Sequence, residues 1–387
     1  MFHSLCALSI FPAFFLMKKI GKGSLTGFVA IFLLVFSSPY IRMMTDFVKN
    51  AVGICFLLAF LYYLHDLASS GLKRKTLTLA SIFLILTGLT HILDFGVALL
   101  LLGLYTILMA VLKVDKASFL KGASVMAMVT CIFIFIAFTF FNFFFTDFNK
   151  VISFLQDLAS LHNEVLPQPS YEPPQLFPSI AFFFSTTLGS WIAVFFVLFS
   201  GVALSFYVWK EGDRSSFLLL TAVTIMGFVI CFPLIPRKWL WRFSLMIVIP
   251  TLVNVSYGLS KVNRLDKSLK PYTSLVSMFI LALFIMQGIN MALRVHPSIS
   301  YAGYMDLIEI RNVVPPDSVI VAPGGIGYWV QYVDEVDVGK FSPDLWRSYS
   351  HVLGLFSKGA VPPIPSRVLF IGRVFMLVEF QPPRKLG

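Results

Sequence analysis

The sequence predicts a polytopic α-helical membrane protein that carries a small α/β domain at its C-terminal end. Three observations predict it. Of 387 residues, 58% are hydrophobic and 13% charged, where soluble chains carry about 25% charged residues. Apolar stretches close to the ~20 residues that cross a bilayer as helix recur over the first three quarters of the chain. From about His296 onward, polar, charged, Pro and Gly residues become frequent and the apolar runs shorten to strand length. The reading is therefore a transmembrane helical domain over 1–294 and an α/β domain over 295–387, about ten membrane helices in all.

The spans are expected at roughly 4–17, 24–40, 47–64, 76–91, 95–112, 118–145, 179–207, 216–235, 243–260 and 271–293, with Pro39, Pro178, Pro236 and Pro271 at their ends, where a missing backbone donor costs least. Charge then sets the orientation. One alternate set of loops holds fifteen Lys and Arg residues, among them Lys18, Lys19, Lys22, Lys73, Arg74, Lys75, Lys210 and Lys261; the other set holds six, Arg42, Lys49, Lys150, Arg237, Lys238 and Arg242. The richer set is expected in the cytoplasm, which places the C-terminal domain outside. The same scatter of basic residues through short loops explains the net charge of +11 without nucleic acid as a partner. With an even span count the amino terminus also lies outside; Met1-Phe2-His3-Ser4 runs straight into an apolar helix, which reads equally as a short translocated tail or as a chain lacking a first span and first outer loop.

The outer segment from Thr146 to Ser179 is long for a helix connection. Phe148, Val151, Ile152, Leu155 and Leu158 recur at helical spacing, so an interfacial amphipathic helix is expected, followed by an extended Pro-rich stretch around Pro167 and Pro173-Pro174. It is either a linker or a lid over a substrate site. In the terminal domain, Ser318–Ala322 reads as a buried strand after the turn Pro315-Pro316-Asp317. Ser342-Pro343-Asp344 reads as a helix start before Leu345, Trp346, Tyr349, Val352 and Leu353, and 367–371 with 374–378 as a strand pair around Gly372-Arg373. The run Gly324-Gly325-Ile326-Gly327 has neither the dinucleotide nor the P-loop spacing and reads as a tight turn. Cys6, Cys55, Cys131 and Cys231 all fall in apolar spans without metal-ligand spacing.

Four places carry a resemblance. Ser37-Ser38-Pro39 runs through Arg42 and Asp46 to Asn50; Leu89-Thr90-His91-Ile92-Leu93-Asp94 joins two short spans; Pro236-Arg237-Lys238-Trp239-Leu240-Trp241-Arg242 precedes Ile249-Pro250; and Val314-Pro315-Pro316-Asp317 precedes a strand and Tyr328-Trp329. In this order the chain resembles the GT-C superfamily of membrane glycosyltransferases, which includes protein O-mannosyltransferases, the lipid A aminoarabinose transferase and oligosaccharyltransferase catalytic subunits. The resemblance implies transfer of a sugar from a polyprenyl-phosphate carrier to a protein or lipid acceptor at the outer face of the cell membrane. The family's usual catalytic carboxylate lies in the first outer loop, after the first helix, a segment absent from this sequence; if the chain is complete, that base has no counterpart and the activity cannot simply be carried over.

Such chemistry needs a carboxylate to take the acceptor's proton or align a metal, cations for the departing phosphate, and an apolar groove for the lipid. Asp46 is the candidate catalytic carboxylate, orienting the acceptor or sharing a divalent cation with Asp94 or an outer-loop acid; the plainer reading is an exposed loop charge or an ion pair with Arg42 four residues away. Arg42, His91, Asp94, Arg237, Lys238 and Arg242 are the candidate substrate-binding residues. Against this, His91 and Asp94 read as a polar hairpin cap, and the late basic cluster as a headgroup contact flanked by Trp239 and Trp241. Lone Asn142 and Asn254 read as helix–helix hydrogen bonds. The competing functions are a non-catalytic relative that binds lipid-linked sugar or scaffolds envelope glycan assembly, and a secondary transporter. The transporter is disfavoured because no span centre carries a charge.

Overall fold

The computed structural model describes residues 2–112, 116–140, 142–160, 180–232, 235–262, 270–293, 299–323, 325–339 and 341–382. The side chains of residues 142–147, 180–193, 237, 238 and 241, and of a few more at helix ends, are outside that description. The chain divides into two compact units, Met1–Val295 and His296–Gly387.

The first unit is helical throughout its described residues: α1 (Phe2–Ala7), α2 (Ile10–Ile20), α3 (Ser24–Val35), α4 (Ser38–Asp46), α5 (Val48–Ser70), α6 (Arg74–Thr90), α7 (Ile92–Val111), α8 (Lys116–Phe140), α9 (Asn142–Ser160), α10 (Ile180–Lys210), α11 (Arg214–Ile230), α12 (Arg237–Ser244), α13 (Val248–Pro250), α14 (Ser256–Val262) and α15 (Lys270–Leu293). Every expected span falls on one or more of these helices. Among the described residues, five helical stretches are individually long and apolar enough to cross a membrane, and a sixth candidate is the pair α3 and α4, bent by 52°. Pro39 in the first turn of α4 enforces the break, since its ring cannot continue α3.

Helix α5 is apolar on all sides and sits at the centre of the bundle, packed by α1, α2, α4, α6, α7 and α11. Its buried positions run from Asn50 through Ile54, Leu57, Phe60 and Leu61 to Leu64 and Leu67. Helix α15 is its opposite: only 11% of its span is buried, with Leu275, Met278, Phe279 and Met286 exposed as a lipid-facing surface would be. From Arg237 to Val262 the backbone stays helical through a 3₁₀ turn at Leu245–Ile247 and a π turn at Thr251–Val255, which flank Pro250 and absorb its missing donor. The π turn carries Asn254 into the core, where its amide donates to the Val197 carbonyl at 3.3 Å and to Thr224 Oγ1 at 3.1 Å, the helix–helix role expected for it. All four cysteines are free.

The second unit is a five-stranded mixed sheet with helices on it. Its elements are α16 (Tyr301–Arg311), β1 (Ser318–Val321), α17 (Ile326–Val333), β2 (Asp337–Gly339), α18 (Leu345–Ser348), β3 (His351–Ser357), β4 (Ser366–Ile371) and β5 (Phe375–Phe380), in the order β2-β1-β3-β5-β4. β1 runs parallel to β2 and β3, and β5 antiparallel to β3 and β4. Alternation along the strands sorts two cores. Ile320, Leu353, Phe375 and Leu377 pack with Leu307, Ile310, Val330 and Val333 of α16 and α17; Val319, Val352, Met376, Val378 and Phe380 form the other face with Leu345, Trp346 and Tyr349. The expected first strand and strand pair are present. The helix expected after Ser342 is corrected: only the single turn of α18 forms, and Val352 and Leu353 lie in β3. The run Val352-Leu353-Gly354-Leu355-Phe356 is apolar on both faces, which suits a central strand covered on each side. Helix α17 begins directly after Gly325, a segment expected as a turn; Gly324 itself lies outside the described residues.

Candidate functional site

The predicted residues of the membrane unit lie on α4, at the starts of α5 and α7, and on α12; α4 packs on α5, on α15 and on the 3₁₀ turn that follows α12. Tyr40 fixes α4 from beneath: buried, it donates to the Cys6 carbonyl at 2.7 Å, and the Ser9 hydroxyl lies 2.7 Å from its oxygen. With its one proton spent on Cys6, the Tyr40 oxygen accepts from Ser9. Gly288 lets α15 approach the α3–α4 break, where a built Cβ would stand 2.6 Å from the Phe36 carbonyl oxygen.

On the open face of α4, Arg42 Nε lies 3.5 Å from Asp46 Oδ2, and both side chains are about half exposed (48% and 52%). The pairing is the plain i,i+4 contact weighed for them, worth about 0.3–0.5 kcal/mol at such exposure. Arg42 also presents its carbonyl to Thr45 Oγ1 at 3.0 Å.

His91 is the N-cap of α7. Its Nδ1 accepts the Leu93 N–H at 3.2 Å and stands 3.8 Å from Asp94 Oδ2. An Nδ1 lone pair engaged with an N–H cannot also donate to the carboxylate, so this geometry holds a neutral ring with its proton on Nε2. The polar hairpin cap expected for His91 is thus present, with the ring accepting from the backbone. Asp94, in the first turn of α7, is fully buried, and neither carboxylate oxygen has a hydrogen-bond partner. It presses on α5 at Gly53, where an added Cβ would fall 2.1 Å from Oδ2. Asn50, one turn earlier on α5, is buried as well. Asp46 in water and Asp94 in the core thus occupy opposite environments. Among the described residues no three His, Cys, Asp or Glu side chains converge; the outer-loop acids Glu164 and Glu172 lie outside them.

Helix α12 presents the late basic cluster. Arg242 is exposed and its guanidinium stacks on the Trp239 ring at 5.5 Å. Arg237 and Lys238 open the helix, with side chains outside the described residues. Trp239 donates its indole N–H to Asp157 Oδ2 at 2.6 Å, and Phe154 packs edge-on against Trp239 (5.7 Å) and at a tilt against Phe243 (5.2 Å). The amphipathic helix expected from residue 148 is therefore α9, beginning already at Asn142, and it is docked on α12 through Phe154 and Asp157. The Pro-rich stretch after it, with His162, Glu164 and Glu172, lies outside the described residues. Sequence reasoning named Trp239 only as a membrane anchor; that its partner would be Asp157, 82 residues away, has no local signal.

The end of the bundle opposite the start of α5 is closed by ion pairs that were not anticipated. Lys19 pairs with Asp66, which also accepts from Ser70 and Thr76 at 3.1 Å each. Lys22 pairs with Asp213 at 3.0 Å, and Lys261 with Glu211. Beneath them buried His65 bridges Tyr105 and Ser215 at 3.2 and 3.1 Å. Three of the basic residues that set the expected orientation are thus also loop clamps.

No family model and no curated protein matches the sequence. Solved structures do match. The archaeal oligosaccharyltransferase AglB from Archaeoglobus fulgidus, in complex with an inhibitory peptide and a dolichol-phosphate, superposes with a TM-score of 0.57 at 14% identity, over 90% of this chain and 57% of that one. The Archaeoglobus fulgidus oligosaccharyltransferase in its apo form gives 0.56 at 15% identity, over 86% and 52%. ArnT from Cupriavidus metallidurans in the apo state gives 0.48 at 12% identity, over 97% and 82%. The chain spans a little over half the length of the oligosaccharyltransferase chains. Its fold is similar to that of these oligosaccharyltransferases.

Proposed function

We propose that this chain works as a GT-C-type glycosyltransferase, moving a sugar from a polyprenyl-phosphate carrier to an acceptor at the outer face of the membrane. The observation that carries the reading is the oligosaccharyltransferase-like fold over nine tenths of the chain. The dolichol-phosphate bound to AglB supports a lipid-phosphate ligand, and the peptide there supports a protein acceptor. In this reading the basic helix α12 faces the carrier phosphate, with Arg242 held in position by the Trp239 ring and Arg237 and Lys238 beside it. Asp46 takes the acceptor's proton or aligns a cation, Arg42 holds its carboxylate, and His91 and Asp94 shape the floor. The end bearing α4 and α12 is the outer one, and so is the second unit.

The test is transfer in proteoliposomes holding the wild type or Asp46→Asn. Loss of transfer with unchanged expression is the expected result; undiminished transfer removes Asp46 from the catalytic role. Arg242→Gln should weaken binding of polyprenyl phosphate itself, and unchanged affinity would leave Arg242 a headgroup anchor.

A second reading has its own observation. Asp46 is tied to Arg42 in water, and Asp94 lies buried with both oxygens unpartnered, so neither carboxylate is poised as a base. A relative that binds lipid-linked sugar without transferring it fits that arrangement. It predicts polyprenyl-phosphate binding that depends on Arg242, with no turnover by the wild type.

A further inference from the structure

The second unit carries an aromatic face that its own fold does not use. Ile299, Tyr301, Tyr304, Tyr328, Trp329 and Tyr332 line an open groove of about 730 Å³ formed by the starts of α16 and α17. Trp329 stands edge-on between Tyr304 (6.2 Å) and Tyr332 (6.4 Å), which sets the rings as a rigid fan. Tyr301, Tyr328 and Tyr332 are 80%, 78% and 76% exposed, more than any other aromatic side chain described in this unit. Among the described residues no charged side chain lines the groove, although the unit is otherwise well supplied with charge. Large exposed aromatic patches of this kind mark an interaction surface.

We propose that this face rests on the lipid–water interface of the membrane. Two observations select that partner. First, only residues 294–298 separate Leu293, the last residue of a helix long and apolar enough to span the bilayer, from Ile299 at the groove's edge. Such a tether reaches about 20 Å at most, so the rings are held within reach of the headgroup layer. Secondly, the chemistry is that of an interfacial belt: tyrosine and tryptophan place an apolar ring in the acyl boundary and a hydroxyl or N–H in the headgroups. A sugar or peptide ligand needs directional polar groups to orient it. Here Ser300, whose hydroxyl accepts the Gly303 N–H at 3.1 Å, is the one described lining side chain with a polar group that is not carried on an aromatic ring. The inference concerns the anchoring of the unit and holds whether or not the chain transfers sugar.

The experiment is spin-label depth measurement on the full chain in liposomes, its four native cysteines replaced by alanine. A label at Gly325→Cys suits the purpose, because a Cβ there meets nothing within 4 Å and the backbone is ordinary; labels at Tyr328→Cys and at Val361→Cys, 89% exposed, complete the set. The expected result is that labels at 325 and 328 collide more with oxygen than with a water-soluble nickel chelate, while the label at 361 does the reverse. Replacing Tyr301, Tyr328 and Tyr332 together by serine should return the label at 325 to the aqueous ratio. Aqueous ratios at 325 and 328 in the otherwise unaltered chain overturn the proposal. So does exclusion of both reagents, which would mean that protein covers the face, and so does protection that appears only on adding an oligosaccharide or a peptide.

Discussion

Two aspartates of the second unit, both buried, behave oppositely. Asp306 on α16 accepts the backbone N–H groups of Arg373, Val374 and Phe375 at 2.9, 2.6 and 2.8 Å, closing the β4–β5 turn. Burial pushes its carboxyl upward, but the three N–H donors outweigh it and hold the group below the usual carboxylate range. Its stabilisation is therefore present above the unfolded pKa and is lost as pH falls through the folded value. Asp306→Ala leaves three donors without an acceptor and should cost about 2–4 kcal/mol, read as a lowered unfolding midpoint of the unit at pH 7. Asp334 at the end of α17 has no hydrogen-bond partner on either oxygen, and burial raises it to about 7 against a smaller opposing pull from Arg311. The folded state holds this proton where the unfolded chain has released it, so stability falls as pH rises from about 4 to about 7 and is level above. Asp334→Asn should flatten that slope in thermal unfolding followed across the same range; an unchanged slope would assign the pH dependence elsewhere. Neither aspartate was legible in the sequence, because an acidic residue beside apolar ones looks alike whether it faces water, a nest of N–H groups or nothing.

At the scale of elements, composition and periodicity placed the helices well because their signals are local: apolar length, Pro39 at the α3–α4 break, His91 at the start of α7. The terminal sheet was partly legible for the same reason. Val352 and Leu353 were misread because spacing alone cannot separate a buried strand from one turn of helix; pairing with β1 and β5 decides it. The candidate site was legible as residue types but not as partners. Arg42 and Asp46 pair as an i,i+4 rule foresees, whereas the contacts of Asp94 with Gly53 and of Trp239 with Asp157 join distant helices. The α5–α7 contact supplies a test. A side chain at Gly53 must displace the Asp94 carboxylate or part the helices, so Gly53→Val should lower the unfolding midpoint in detergent by an amount typical of overpacking, about 1–3 kcal/mol. Pairing it with Asp94→Ala should restore much of the loss. Equal loss in the double variant would show that the two residues do not share the space.

For the whole molecule, the two ends of the helical unit differ in kind. One is cross-tied by Lys19–Asp66, Lys22–Asp213 and Lys261–Glu211. The other carries the Arg42–Asp46 pair, the docked α9 and the basic helix α12. The expectation from charge asymmetry is that the cross-tied end lies in the cytoplasm. Cysteines introduced at Gly71 and Gly212, in the loops of that end, should then react with a membrane-impermeant maleimide only after the cell is opened. One at Val361 in the second unit should react in intact cells. The reverse pattern would invert the orientation and take the proposed site out of reach of an outer-face carrier. The second unit also has an order of assembly written into its sheet. β5, synthesised after both of its neighbours, lies between β3 and β4, and β3 and β4 do not pair with each other. Until Phe375–Phe380 has left the ribosome, both neighbouring strands present an open row of backbone donors and acceptors. A message cut short just after residue 371 would therefore yield a membrane-inserted chain with two sticky edges, a substrate for quality-control proteases and not a shortened working protein.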